Sequence, residues 1–336
     1  MSEYLKMVDT LKKRYKIAAS STDWLGLPLT IFRTGGKEEP PILVTAGAFG
    51  VEVAGVYAAL ELIVQVDIER CVYILPSRDP TGLQDASYVL SKMLGDKIEV
   101  NTTLDVVNTL REEGAEIIID DSEIFLAALK GVGIAVSNFL DAYDATEIIR
   151  NKLEKGGYGE SLDGMRILVV SQMPEIEGVG VSGRFNTIFV HENKILTYEA
   201  LSFDIIPEIS FLKTFIEGQE FGMVIDLHEG KTPAFYIAMS ENPTSSEYTL
   251  LYLVLDQVRS YGLNLASLEM LNTLKLEAVD EGAGYGKGIC GLADHLSPKS
   301  YAFAFTTSLR EPLELRVKTL LTATLSALNA YAVARL

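Results

Sequence analysis

The run Met223, Val224, Ile225, Asp226, Leu227, His228, Glu229, Gly230 decides how this chain reads. Apolar, strand-forming residues lead into Asp, His and Glu just before a glycine, which places ligand-type side chains at the end of a buried strand. In open α/β sheets, sites form at that end. His228 is one of only three histidines, and Asp226, two residues earlier on the strand, points to the same face.

Outward from this run, short apolar stretches alternate with helical patterns, the order expected of an α/β protein with a largely parallel sheet. Strands are expected at 29–33, 42–45, 72–75, 166–171, 187–190, 223–227, 235–239 and 302–306. Helical spacing marks 52–66, 103–113, 122–129, 142–154 and 245–261, and a last helix starts at Pro312 and runs through Leu328. Residues 85–164 carry strand and helix signals of their own, at 116–119 and 133–136 among others, with glycines 156, 157 and 159 near the far end. They read either as an inserted subdomain or as an extension of the main sheet. Neither an internal repeat nor a low-complexity segment is visible.

Composition bounds the function. With 336 residues, 48% hydrophobic and 22% charged, the chain can fill one large core or two modest ones. A net charge of −17 argues against nucleic acid and anionic membranes as partners and favours cationic or neutral ligands. Cys71 and Cys290 lack metal-ligand spacing and make no disulfide framework, so a reducing cytoplasm is the expected location. Residues 1–16 read as an amphipathic charged helix, not a signal peptide, and no apolar stretch is long enough to span a bilayer.

A second polar constellation lies at 41–53. The strand at 42–45 runs into Ala46, Gly47, Ala48, Phe49, Gly50, Val51 and Glu52, and then into a long helix. The glycines allow a tight strand-to-helix turn, and Glu52 at the helix start can serve the helix dipole or converge on His228.

The strand followed by Ala-Gly-x-x-Gly-x-Glu, with a later strand ending Asp-x-His, resembles the zinc carboxypeptidase superfamily, including its succinylglutamate desuccinylase/aspartoacylase branch. The resemblance implies a single carboxypeptidase-like α/β domain over 1–336, with a mixed, largely parallel central sheet flanked by helices. It implies a hydrolase that cleaves an amide bond next to a carboxylate on a small peptide or N-acyl amino-acid-like ligand, with a homo-oligomer left open. It further implies zinc held by a His-x-x-Glu pair and a second histidine, leaving a fourth position for an activated water. Glu52 matches the glutamate and His228 the second histidine, with Asp226 as a carboxylate that orients it. Phe49 stands where the first histidine belongs and has no lone pair to give. His191 and His295 match no ligand position.

Other landmarks are altered. Arg78, within Pro76 to Gly82, falls in a turn similar to the family's Asn-Pro-Asp-Gly and is a candidate substrate-binding residue. Arg184, within Ser182 to Asn186, takes the place of the arginine that grips a substrate carboxylate, or else makes a structural ion pair. Ser308 occupies the position of the catalytic glutamate. Glu311 lies three residues on, as a substitute base or a capping carboxylate. Tyr285, among the alternating glycines of 282–288, matches the mobile substrate-contacting tyrosine. Gly178 to Gly183 fits a dinucleotide fingerprint in letters, but a strand-like run follows it where a helix is needed. The residues therefore point to a metal-dependent hydrolase with an incomplete site or to an inactive relative that binds a peptide, an amino-acid-like ligand or a protein partner. A Glu52/His228 acid–base pair without metal is a third reading.

Overall fold

The computed structural model describes residues 3–137, 142–158, 161–170, 184–192, 194–199, 206–286, 291–296 and 299–334. Among them the strands are β1 (Lys16–Thr22), β2 (Pro28–Gly35), β3 (Glu38–Ala46), β4 (Arg70–Leu75), β5 (Glu116–Asp120), β6 (Ile124–Leu129), β7 (Val132–Ser137), β8 (Arg166–Val170), β9 (Phe185–His191), β10 (Lys194–Leu196), β11 (Met223–Gly230), β12 (Tyr236–Ser240), β13 (Glu277–Asp280), β14 (Ala283–Gly286) and β15 (Tyr301–Ser308).

They form two sheets. The larger has nine strands in the order β1-β2-β4-β3-β11-β15-β12-β14-β13. The expectation of a largely parallel sheet needs correcting. The centre, β4-β3-β11-β15, is parallel throughout, and so is the pair β12/β14. The four remaining neighbour pairings are antiparallel, so the sheet is mixed. The pairs β1/β2 and β13/β14 are hairpins, whose short connections require antiparallel pairing.

Central strands buried on both faces read as continuous apolar runs. Met223, Val224, Ile225 and Leu227 of β11 are fully buried, each contributing about 2 kcal/mol by removal from water. Ile225 joins Ile42, Val44 and Phe303 under the helices Glu3–Lys12, Val53–Gln65, Ser245–Ser260 and Leu313–Ala334. Val224 and Leu43 face the opposite side, under Pro207–Glu217 and Leu292–Leu296.

The smaller sheet has six strands in the order β10-β9-β8-β7-β6-β5. Its one parallel pair, β7/β8, is joined through the helix Ala142–Lys155. That helix covers one face with Ala145, Ile149 and Leu153. Helices Ala86–Leu94 and Thr103–Glu112 cover the other. The stretch 85–164 thus supplies β5, β6, β7 and these helices, and β8, β9 and β10 complete the sheet. These strands make a sheet of their own instead of lengthening the larger one.

Residues 122–129 are not helical. Ile124–Leu129 forms β6, buried along nearly its whole length between β5 and β7. A six-residue apolar run is too short for its spacing to separate helix from strand. The N-terminal helix ends at Lys12, and β1 begins at Lys16. Among the described residues no helix is long and apolar enough to cross a membrane. The run 178–183, residues 287 and 288, and Cys290 lie outside the described residues.

Candidate functional site

β3, β11 and β15 run parallel and end together, with Leu227 beside Ala46 and Gly230 beside Ser308. Past Ala46 the chain turns at Gly47, whose φ of +61° is a left-handed conformation that side chains resist. At Gly50 a Cβ would come within 2.2 Å of the Phe185 carbonyl oxygen and 2.3 Å of that of Gly82. This narrow passage delivers Glu52 to the start of the helix Val53–Gln65.

Glu52 does not cap that helix with its side chain. The Ala54 N–H donates instead to Glu229 Oε2 at 2.6 Å, placing a carboxylate at the positive end of the helix dipole. Glu52 turns to the other side of the turn. Its Oε1 lies 2.9 Å from His228 Nδ1 and accepts from the Glu229 N–H at 3.2 Å, while Oε2 accepts from the Phe49 N–H at 3.2 Å.

His228 is bracketed by carboxylates. Its Nε2 lies 3.0 Å from Asp226 Oδ2, and Glu199 Oε1 is 3.6 Å from the same nitrogen. Asp226 in turn accepts from the Arg78 guanidinium at 2.6 Å and from the Thr45 hydroxyl at 2.7 Å. Along β11 the side chains of Asp226 and His228 share a face, and Glu229 points to the opposite one, where it pairs with Arg316. All of Glu52, Arg78, Asp226, His228, Glu229 and Arg316 are buried.

Burial opposes the charge on His228, but the Asp226 and Glu52 carboxylates beside it overcome that and hold the imidazole well above its ordinary range. As an imidazolium it donates from both ring nitrogens at once. For Asp226, burial is outweighed by Arg78 and His228, which bring the carboxyl down to about 2. Glu229 goes the other way: burial raises it to about 7 despite Arg316 and the Ala54 N–H. Burial likewise raises Glu199.

Tyr143 comes from the helix that covers the smaller sheet. Its hydroxyl donates to the carbonyl oxygen of Glu229 at 2.6 Å and sits 3.2 Å from Glu52 Oε1. Its ring meets Phe49 edge-on, with centroids 5.6 Å apart. Burial, with Glu52 and Glu229 nearby, pushes the phenol well above its usual range. A cleft of about 390 Å³ opens over the strand ends, lined by Phe49, Tyr143, Glu199, His228, Lys231 and Tyr236 among others.

The structure thus gathers four residues singled out in the sequence, Glu52, His228, Asp226 and Arg78, with Phe49 beside them. Of these, Phe49, Glu52 and His228 line the cleft; Asp226, Arg78 and the other residues singled out do not. Ser308 is fully buried at the end of β15, where its hydroxyl accepts from the Arg310 N–H at 3.1 Å. The Glu311 backbone N–H closes the same turn onto the Ser308 carbonyl, and burial raises the Glu311 carboxyl. Arg184 donates to the Leu83 carbonyl oxygen at 3.2 Å. Tyr285 stands on β14 at the far side of the sheet, where a hydrogen bond to Glu277 raises its phenol to about 12. His191 closes β9 near Asp163, and His295 is exposed on Leu292–Leu296. Sequence reasoning missed Tyr143, Glu199, Glu229 and Arg316. Of these only Glu229 carried a signal, as the neighbour of His228.

The residue set does not fit zinc. Both ring nitrogens of His228 face carboxylates, and Phe49, where the resemblance would place a third ligand, is a phenyl ring packed on Tyr143. Among the described residues no group of three or more His, Cys, Asp or Glu is arranged to hold a metal ion.

No family model matches the chain, and no curated protein matches it in sequence. Among solved structures, an inferred metallopeptidase from Shewanella amazonensis SB2B is similar with a TM-score of 0.47 at 14% identity, over 97% of this chain and 91% of that one. A metallo-carboxypeptidase from Burkholderia cenocepacia gives 0.47 at 9% identity over 98% and 70%. A metallo-carboxypeptidase from Pseudomonas aeruginosa, in complex with (2-guanidinoethylmercapto)succinic acid, gives 0.46 at 11% identity over 97% and 67%.

Proposed function

We propose that this chain is a relative of the zinc carboxypeptidases that binds a small peptide or amino-acid-like ligand in its strand-end cleft without zinc-dependent hydrolysis. The observation that carries this reading is the bracketing of His228. Its two nitrogens are satisfied by Glu52 and Asp226, and Phe49 fills the place of a further ligand. Charge pairing among Arg78, Asp226, His228 and Glu52 orders the strand ends, a task the resemblance would give to a metal. The buried hydroxyl of Ser308, held in a local turn, stands where a general base is expected and cannot serve as one near neutral pH.

The lining mixes carboxylates with aromatic rings. Glu199 and Glu52 suit an ammonium group, while Phe49, Tyr143 and Tyr236 suit an apolar or cationic side chain. The test combines metal analysis of the purified protein with calorimetric titration of dipeptides and N-acyl amino acids. Substoichiometric zinc is expected, with saturable binding that weakens in Glu199→Gln. One zinc per chain, together with amidase activity lost on chelation, would sink this reading in favour of the hydrolase.

A further inference from the structure

Among the described residues, β1 is an edge of the nine-stranded sheet, paired with β2 on one side only. Six of its seven residues are exposed, and Ala19 is half-buried. Free N–H and C=O groups on such an edge template another strand, so edges are commonly guarded by proline, by inward-pointing charge or by a covering element. Lys16–Thr22 contains no proline, and its single charge lies at its first position. A register shift between Ile17 and Ala19 is its one irregularity, and it leaves Ala19 to Thr22 in regular pairing with β2.

Beside this edge runs a groove of about 710 Å³ between β1 and the helix Pro207–Glu217. Ala19 and Ser21, two apart and so on one face of the strand, line it together with Phe211 and Phe215. Ser210 and Thr214 add hydroxyls. An apolar trough alongside a free strand edge is the arrangement used in strand addition, where main-chain bonds give affinity and alternate side chains fill pockets.

Charge selects the occupant. The chain carries −17 overall, yet Lys12 at the end of the first helix, Lys13 and Arg14 in the turn after it and Lys16 at the first position of β1 put four basic residues within five, with no acid among them. We infer that β1 accepts an extended peptide as an added antiparallel strand, with small or apolar side chains in the Phe211–Phe215 groove and acidic residues at its C-terminal end. Antiparallel addition sets the incoming C-terminal end against the basic start of β1. A second copy paired in the same way would set each basic start against the uncharged Ser20, Ser21 and Thr22 of its partner, a poorer match than an acidic peptide.

The test uses the full chain and a fluorescein-labelled peptide, Thr-Val-Thr-Val-Thr-Asp-Glu-Asp, followed by fluorescence anisotropy. Two control peptides replace the three acids with lysines or carry N-methyl groups at alternate residues. Two variants act on the protein: Ser210→Trp fills the groove and Arg14→Glu with Lys16→Glu reverses the charge, each checked for an unchanged circular dichroism spectrum and melting point. Saturable binding of the acidic peptide, weakened about tenfold or more by each control and each variant, is the expected result. Equal binding of the lysine or N-methylated peptide, or no binding of the acidic one, overturns the proposal. So does self-association of the free protein that Ser210→Trp abolishes, because a second copy then fills the groove.

Discussion

At the scale of single residues, the site depends on charges that are costly to leave alone. Asp226 neutralises Arg78 and His228 together, and all three are buried. Asp226→Asn leaves the guanidinium without its anion and is expected to lower unfolding free energy by about 3–5 kcal/mol, read from urea melts. A loss under about 1 kcal/mol would mean that the cluster contributes little to stability. Phe49→His tests the opposite change by supplying a third donor beside Glu52 and His228. Zinc titration calorimetry should show binding in this variant that is tighter at pH 8 than at pH 6, because the metal competes with the proton on His228. Glu52, His228 and Asp226 could be read from the sequence because each lies within a local pattern, a glycine turn or a strand end. Tyr143 could not: it arrives from a helix of the other sheet, and nothing within its own stretch announces that its hydroxyl meets the Glu229 carbonyl.

At the scale of elements, the turn from β3 into its helix holds Glu52 in place. Gly50→Ala forces a Cβ against two carbonyl oxygens, so the turn must shift, and with it the Glu52 carboxylate. A loss of about 1–3 kcal/mol in denaturant melts is expected, with weakened ligand binding in the cleft. The same turn was the most readable part of the fold, since its glycines have a steric reason to be there. The parallel centre of the sheet was readable as well, from continuous apolar runs. Two things were not. The strand β6 has the same apolar letters as a helix segment, and only its neighbours β5 and β7 decide between them. The antiparallel pairs β2/β4 and β12/β15 join strands far apart in the chain, and the apolar pattern of any one strand does not express that choice of neighbour.

At the scale of the whole molecule, the two sheets are joined by buried polar bonds. Asp79, just past β4, accepts from the Thr187 hydroxyl of β9 at 2.7 Å and from the Gly82 N–H at 2.9 Å. Arg166 of β8 donates to Glu208 of the helix Pro207–Glu217 at 3.0 Å. Burial raises the Asp79 carboxyl to about 7. In the unfolded chain it titrates near pH 4. A carboxyl raised on folding gives stability that is whole below the unfolded value and is lost as pH rises through the folded one. Stability should therefore fall between about pH 4 and pH 7, by on the order of 4 kcal/mol from this group. Asp79→Asn should flatten part of that slope in melts taken across the range, and Glu229, also raised to about 7, should keep the rest. A wild-type profile that rises over this interval would contradict the assignment. The order of the larger sheet has a further consequence, for synthesis. Thr45 and Asp226 meet through a hydrogen bond yet lie 181 residues apart in the chain. At ribosomal speed that separation is roughly 10–35 s, during which β3 waits with one apolar edge uncovered. A nascent chain halted before β11 emerges presents that edge to whatever chaperone or stray strand reaches it first, and the seam between β11 and β15 closes later still.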